Sequence, residues 1–185
     1  MNLPAAAPER IVLTGFMGAG KSTIGPRLAR ALGWEFVDLD QEIVRAEQKS
    51  IAAIFQAAGE TEFRRLEHLA LTRALERGHL VVAMGGGAIE TEANRLRLGA
   101  GGTLLVYLQA PLHILTARCG EQQQADPEAA RRPVLEKQAE LAERFLRRKP
   151  FYESAHWTVP TAECGPEEIV QIILDRWKRT YGAPL

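Results

Sequence analysis

The stretch that decides the fold is IVLTGFMGAGKSTIG, Ile11 to Gly25. Its first four residues are apolar or β-branched and read as a buried strand. Gly15 to Ser22 then spell glycine, four residues, glycine, lysine, serine, and STIGPRLARALG continues as a helix. Glycines let successive backbone N–H groups converge on an anion, and the helix that follows adds its positive N-terminal end. A lysine at the sixth place after the first glycine reaches outer phosphates, and the serine hydroxyl is a ligand for Mg²⁺. In a strand–loop–helix setting the stretch is a phosphate cradle, where isolated it would be a glycine-rich turn. Pro26 lies inside the helix, where it removes one backbone donor and predicts a slight bend.

Outward from the cradle, short apolar runs alternate with helical patterns. Strands are predicted at RIVLTG, EFVDLD, HLVVAMG, TLLVYL and HWTV, and helices near residues 20–32, 51–58, 60–77, 91–98, 111–118, 137–153 and 166–179. That alternation predicts an α/β fold with a mainly parallel sheet. One polar segment, CGEQQQADPEAARRP (Cys119 to Pro133), has no apolar face and reads as a lid loop.

The chain has 185 residues, 46% of them hydrophobic, which suits one domain with a real core. Its 23 basic and 23 acidic residues cancel, so neither nucleic acid nor a membrane surface is expected as a partner. Cys119 and Cys164 stand in no metal or redox spacing, which favours a reducing compartment. With no apolar run of spanning length, we expect a cytoplasmic protein, with residues 1–9 disordered and a single domain over 10–185.

A second magnesium ligand is expected from an aspartate at the end of another buried strand. Only EFVDLD ends in acids, so Asp38 is the candidate, with a helix cap as the alternative reading. Asp38 and Asp40 alternate, and on a strand both carboxylates would face one site. Three further groups suggest an acceptor pocket. MGGGAIE (Met84 to Glu90) puts side-chain-free backbone at the carboxyl end of a strand. Arg64 and Glu67 are three apart on one helix face. Arg147 and Arg148 precede Pro150. Each alone has a structural reading as turn, surface pair or exposed basic run. Phe55 and Phe63 read either as a pocket wall or as plain core.

Together these residues carry a resemblance. From about Arg10 to Trp177 the chain resembles shikimate kinases, on GFMGAGKST, FVDLDQEI, SIAAIFQAAGETEFRRLE, MGGGAI, RRPVL and RKPFY. The resemblance implies a P-loop, nucleoside-monophosphate-kinase-like three-layer fold around a five-stranded parallel sheet. It implies transfer of the γ-phosphoryl group of ATP to the 3-hydroxyl of shikimate, with Mg²⁺, in the route to chorismate and the aromatic amino acids. It assigns ATP to Gly18, Ala19, Gly20, Lys21, Ser22 and Thr23, with Arg118 packing the adenine. The metal goes to Ser22 and Asp38, and the acceptor to Asp40, Arg64, Glu67, Gly86, Gly87 and Arg148. Catalysis falls to Lys21, Asp40 and the lid arginine Arg132, with Arg131 as the alternative, and Asp40 is either base or orienting group. Helices over about 39–77 would bind the acceptor, a lid over about 119–133 would close, and the enzyme would act as a monomer. Two rivals stay open. One is a kinase of the same fold for a sugar acid such as gluconate. The other is a silent ATP-binding sensor, which the intact Lys21, Asp38 and Asp40 disfavour.

Overall fold

The computed structural model describes residues 1–125 and 138–182. Five strands form one sheet: β1 (Arg10–Thr14), β2 (Glu35–Asp38), β3 (Leu80–Ala83), β4 (Thr103–Gln109) and β5 (Trp157–Pro160). Their order is β2-β3-β1-β4-β5 and every pairing is parallel. Parallel strands need crossovers, and helices on both faces bury them, which is why the strands read as continuous apolar runs. Ile11, Val12, Leu13, Val81, Val82, Leu104, Leu105 and Val106 are all fully buried.

The helices are α1 (Lys21–Leu32), α2 (Leu39–Glu47), α3 (Ile51–Ala74), α4 (Glu92–Gly99), α5 (Leu112–Ala125), α6 (Gln138–Glu153) and α7 (Pro166–Tyr181), with a 3-10 turn at Ala88–Glu90. Helix α3 contains the break expected between residues 58 and 60. Gly59 takes φ 76° and ψ −179°, so its two halves meet at a kink before the segment that bears Arg64 and Glu67. Phe63 is buried with Ile43, Ile54 and Leu66, and Phe55 packs against that cluster, so both aromatics are core between α2 and α3.

Two expectations need correction. Helix α5 does not stop at Arg118 but runs through Cys119 and Gly120 to Ala125. No proline interrupts the chain before Pro127, and Glu121 to Ala125 are good helix formers. The rest of the expected lid, with Arg131 and Arg132, lies outside the described residues. The aspartate doublet is also not two positions of one strand. β2 ends at Asp38, whose carboxylate accepts from the N–H groups of Asp40 and Gln41 and so caps α2. That cap turns the chain at once into a helix and places Asp40 in its first turn. Residues 1–9 form no helix or strand.

Candidate active site

The cradle is the loop between β1 and α1. Gly20 caps α1 with φ 95° and no side-chain hydrogen bond, so no protein side chain satisfies the helix's first donors from that position. This is the electrostatic setting in which an anion is held. Lys21 Nζ donates to the carbonyls of Gly15 at 2.8 Å and Phe16 at 3.0 Å, folding the side chain along the loop. Ser22 Oγ donates to Asp38 Oδ2 at 2.6 Å, while Asp38 Oδ1 accepts from Asp40 N at 3.1 Å. Asp38 is therefore both the cap of the alternative reading and the partner of Ser22. A pocket of about 90 Å³ is lined by Gly18, Gly20, Lys21, Ser22, Thr23, Asp38 and Asp40, with Gly85 and Gly86 opposite. Ala19, in the same loop, is buried.

The other side of Asp40 is built from α3 and the glycine triplet. Arg64 Nη1 donates to Glu67 Oε2 at 2.7 Å, and Arg64 Nη2 donates to Glu60 Oε1 at 2.9 Å. Gly87 lies flat against that guanidinium: a Cβ there would come within 2.6 Å of Nη1 and 2.7 Å of Cζ, and closer still to Nη2. At Gly85 a Cβ would strike Glu67 Oε1 and come to 3.0 Å from Asp40 Oδ1, so both carboxylates converge on this one glycine. Glu67 is 1% exposed, and its Oε1 has no hydrogen-bond partner among the described residues. Burial pushes its carboxyl up to about 7; Arg64 opposes the rise and the nearby Asp40 adds to it.

Helix α6 closes the site. Arg148, buried, donates from Nε to Glu90 Oε2 at 2.7 Å, and Arg147 donates from Nε to Glu90 Oε1 at 2.9 Å. Tyr152, next along the same helix, donates its hydroxyl to the Gly86 carbonyl at 2.5 Å. The charge of Arg148, like that of Arg64, opposes the rise at Glu67. Arg118 is on α5, which packs against the cradle at Gly18, and its guanidinium donates to Thr161 Oγ1 at 3.2 Å and to the Thr161 carbonyl.

The structure thus brings Lys21, Ser22, Thr23, Asp38 and Asp40 to one pocket, and Arg64, Glu67, Gly86, Gly87 and Arg148 to its far side. Sequence reasoning passed over Glu60, Gly85, Glu90 and Tyr152 as site residues. Glu60 was findable, being four residues before Arg64 on a helix. Nothing in the sequence pairs Glu90 with an arginine 58 residues away. A larger cavity of about 370 Å³ lies between α2 and α3, lined by Val37, Ile43, Leu66, Leu69 and Arg73 among others. It holds none of the cradle residues, and donor chemistry rather than size locates the site.

An anion cradle that meets, across the Asp40 carboxylate, an arginine-bound buried glutamate is the setting for moving a phosphoryl group between two small molecules, and the class it defines is the P-loop kinase. Comparison with known proteins narrows this. The family model described as shikimate kinase matches residues 17–178. A shikimate kinase of Persephonella marina is 41% identical over 169 residues, covering 91% of this chain and 98% of the relative. The solved shikimate kinase of Acinetobacter baumannii, in complex with shikimate, is 36% identical with a TM-score of 0.79, covering 91% of this chain and 92% of its own. A gluconokinase of Sinorhizobium meliloti shares the fold at TM-score 0.61 but only 20% identity. The chain belongs to the shikimate kinase family.

Proposed function

We infer that this protein transfers the γ-phosphoryl group of ATP to the 3-hydroxyl of shikimate, forming shikimate 3-phosphate on the way to chorismate and the aromatic amino acids. The observation that carries the reading is the position of Asp40. It lines the cradle pocket on one side, and beyond Gly85 it neighbours Glu67, the partner of Arg64. An acceptor hydroxyl at Asp40 therefore lies between a phosphate-binding loop and a carboxylate-binding arginine.

In this reading Gly18, Ala19, Gly20, Lys21, Ser22 and Thr23 hold the phosphates of ATP. Lys21, whose Nζ donates to the Gly15 and Phe16 carbonyls, would turn from those acceptors to the outer phosphates. Arg118 is assigned to the adenine and Arg132 to the closing lid, both by family resemblance. Arg64 and Arg148 grip the acceptor carboxylate, for which planar guanidinium forks suit better than ammonium groups. Asp40 orients the acceptor hydroxyl and takes its proton as the O–P bond forms; positioning supplies most of the acceleration in such a transfer.

Mg²⁺ fits the donors present. Ser22 Oγ and Asp38 Oδ2, 2.6 Å apart, are hard oxygen ligands at the mouth of the cradle. Magnesium is usually held by one or two protein oxygens plus substrate phosphates and water, and no larger cluster of acidic, His or Cys ligands occurs among the described residues. When bound, the ion would neutralise phosphate charge. The enzyme is proposed to act as a cytoplasmic monomer on small molecules, with residues 10–185 as its catalytic domain; among the described residues no helix is long and apolar enough to cross a membrane.

The test is a coupled ADP-release assay with shikimate, with gluconate and with no acceptor. Release that depends on Mg²⁺ and shikimate is expected. Equal release without acceptor makes the protein an ATPase, and release with gluconate alone makes it a sugar-acid kinase.

A further inference from the structure

Glu90 sits in the 3-10 turn that follows the glycine triplet, and every carbonyl of that turn is tied down. Asn94 Nδ2, fully buried, donates to the Ala88 carbonyl at 2.8 Å. Arg95 Nη1 donates to the carbonyls of Ile89 at 2.8 Å and of Glu90 itself at 2.6 Å. The Arg95 guanidinium in turn stacks over the Phe151 ring of α6, 4.5 Å from its centroid. A turn this short does not hold a rigid shape by its own hydrogen bonds, so the three hydrogen bonds from these two side chains are what make it a fixed platform. From that platform the Glu90 carboxylate takes Arg148 on one oxygen and Arg147 on the other.

The two contacts differ in kind. Arg147 is more than half exposed, and its pair with Glu90 is screened by water. Arg148 is 8% exposed, so an unpaired charge there is costly and its orientation is set by its partners. The partner at Nε is Glu90, 2.7 Å away. A two-pronged, end-on grip on a carboxylate uses Nη1 and Nη2, so a tether at Nε fixes the plane of the guanidinium while leaving that grip possible.

We propose that Glu90 is a positioning residue of the acceptor site, holding Arg148 through Nε in the orientation that receives the acceptor's carboxylate. This rests on the reading of Arg148 as an acceptor-binding residue. Glu90 touches neither ATP nor the transferred group; it acts through Arg148 alone.

The experiment is steady-state kinetics of Glu90→Gln, Glu90→Asp and Arg148→Lys, with shikimate and with its methyl ester, which lacks the anionic carboxylate. Thermal unfolding accompanies each variant. Glu90→Gln is expected to raise the shikimate KM about tenfold, the effect of weakening one charge-assisted hydrogen bond, with kcat and the ATP KM nearly unchanged. The methyl ester should lose little, and Glu90→Asp, which keeps the charge on a shorter stem, should fall between. Arg148→Lys should raise the shikimate KM at least as much. An unchanged or lowered shikimate KM in Glu90→Gln and Glu90→Asp, beside a raised one in Arg148→Lys, overturns the role of Glu90 alone. An equal loss on ester and acid overturns it too, because the effect is then general. If Arg148→Lys itself leaves the shikimate KM unchanged, the reading of Arg148 fails first.

Discussion

Replacing Gly87 with alanine adds one methyl group against the flat face of the Arg64 guanidinium. The backbone has no objection, since Gly87 takes φ −96° and ψ −14°, ordinary for alanine. The new Cβ would lie 2.6 Å from Nη1 and 2.7 Å from Cζ. Carbon contacts relax at about 3.5–4.0 Å, so the guanidinium must retreat by roughly 1 Å. It has room to do so, because what is struck is the far end of a flexible side chain. The cost to folding is therefore modest, at or below the ~1–3 kcal/mol typical of overpacking. The cost to function is not. Arg64 holds Glu67 at 2.7 Å and Glu60 at 2.9 Å, and a shift of that size breaks the arrangement that meets the acceptor. A misplacement of about 1 Å can lower rate by ~10²-fold, and kcat/KM for shikimate in Gly87→Ala is expected to fall by about that factor. The ATP KM should stay put, since Gly87 does not line the cradle pocket. Gly99→Ala, where a Cβ meets nothing within 4 Å, serves as the neutral control. In an Arg64→Ala background the further loss from Gly87→Ala should be small, because neighbours that act through one group are not additive. Full additivity in that cycle, or a wild-type shikimate KM in the single variant, would refute the mechanism.

Four more perturbations test single residues, three at the site and one at the sheet. Asparagine caps helices as well as aspartate does, so Asp38→Asn should keep α2 while raising the Mg²⁺ needed for half-maximal rate; unchanged Mg²⁺ dependence removes Asp38 from the metal site. Asp40→Asn should lower kcat by about 10²–10⁴-fold at normal Mg²⁺ dependence, measured with saturating substrates, and a near-normal kcat rejects it as base or orienting group. Glu67 has a carboxyl raised from 4.5 to about 7, mainly by burial, so its contribution to stability is complete below 4.5 and is lost as pH rises through 7. Denaturant titrations across that window should show this slope in the native protein and its absence in Glu67→Gln. His156 carries the opposite sign: Nδ1 accepts from Leu105 N at 2.8 Å, and burial, with the N-terminal ammonium, lowers its pKa below the ordinary 6.5. Its contribution is present above 6.5 and lost as pH falls through the lowered value, a slope that His156→Leu should abolish in the same titrations.

Much of the fold was legible in the sequence because its signals are local. The cradle is one unbroken stretch in which strand, glycines, lysine, serine and helix follow in order, so no distant contact is needed to read it. Five apolar runs of strand length announced the five parallel strands, since strands buried on both faces must be apolar throughout. The break at Gly59 was legible for a similar reason: a glycine between two helical periods is where a kink is cheapest.

Other features depended on which elements meet. The sheet order β2-β3-β1-β4-β5 sets β2, with Asp38 at its end, beyond β3, and it follows from packing that no single segment specifies. Asp38 and Asp40 alternate in sequence as a strand pair would. The cap formed by Asp38 put Asp40 on a helix instead, and only there does it face both the cradle and Glu67. The glycine triplet reads as uniform, yet Gly85 faces two carboxylates, Gly86 accepts from Tyr152 and Gly87 backs a guanidinium. Glu90 carries no mark of its partner, because its pairing with Arg148 exists only when α6 folds back over the turn after β3. Backbone propensity and hydrophobic period act over a few residues, and the sequence displays them directly. A charge pair spanning 58 residues is selected by burial, which no stretch of sequence possesses until the whole chain has packed.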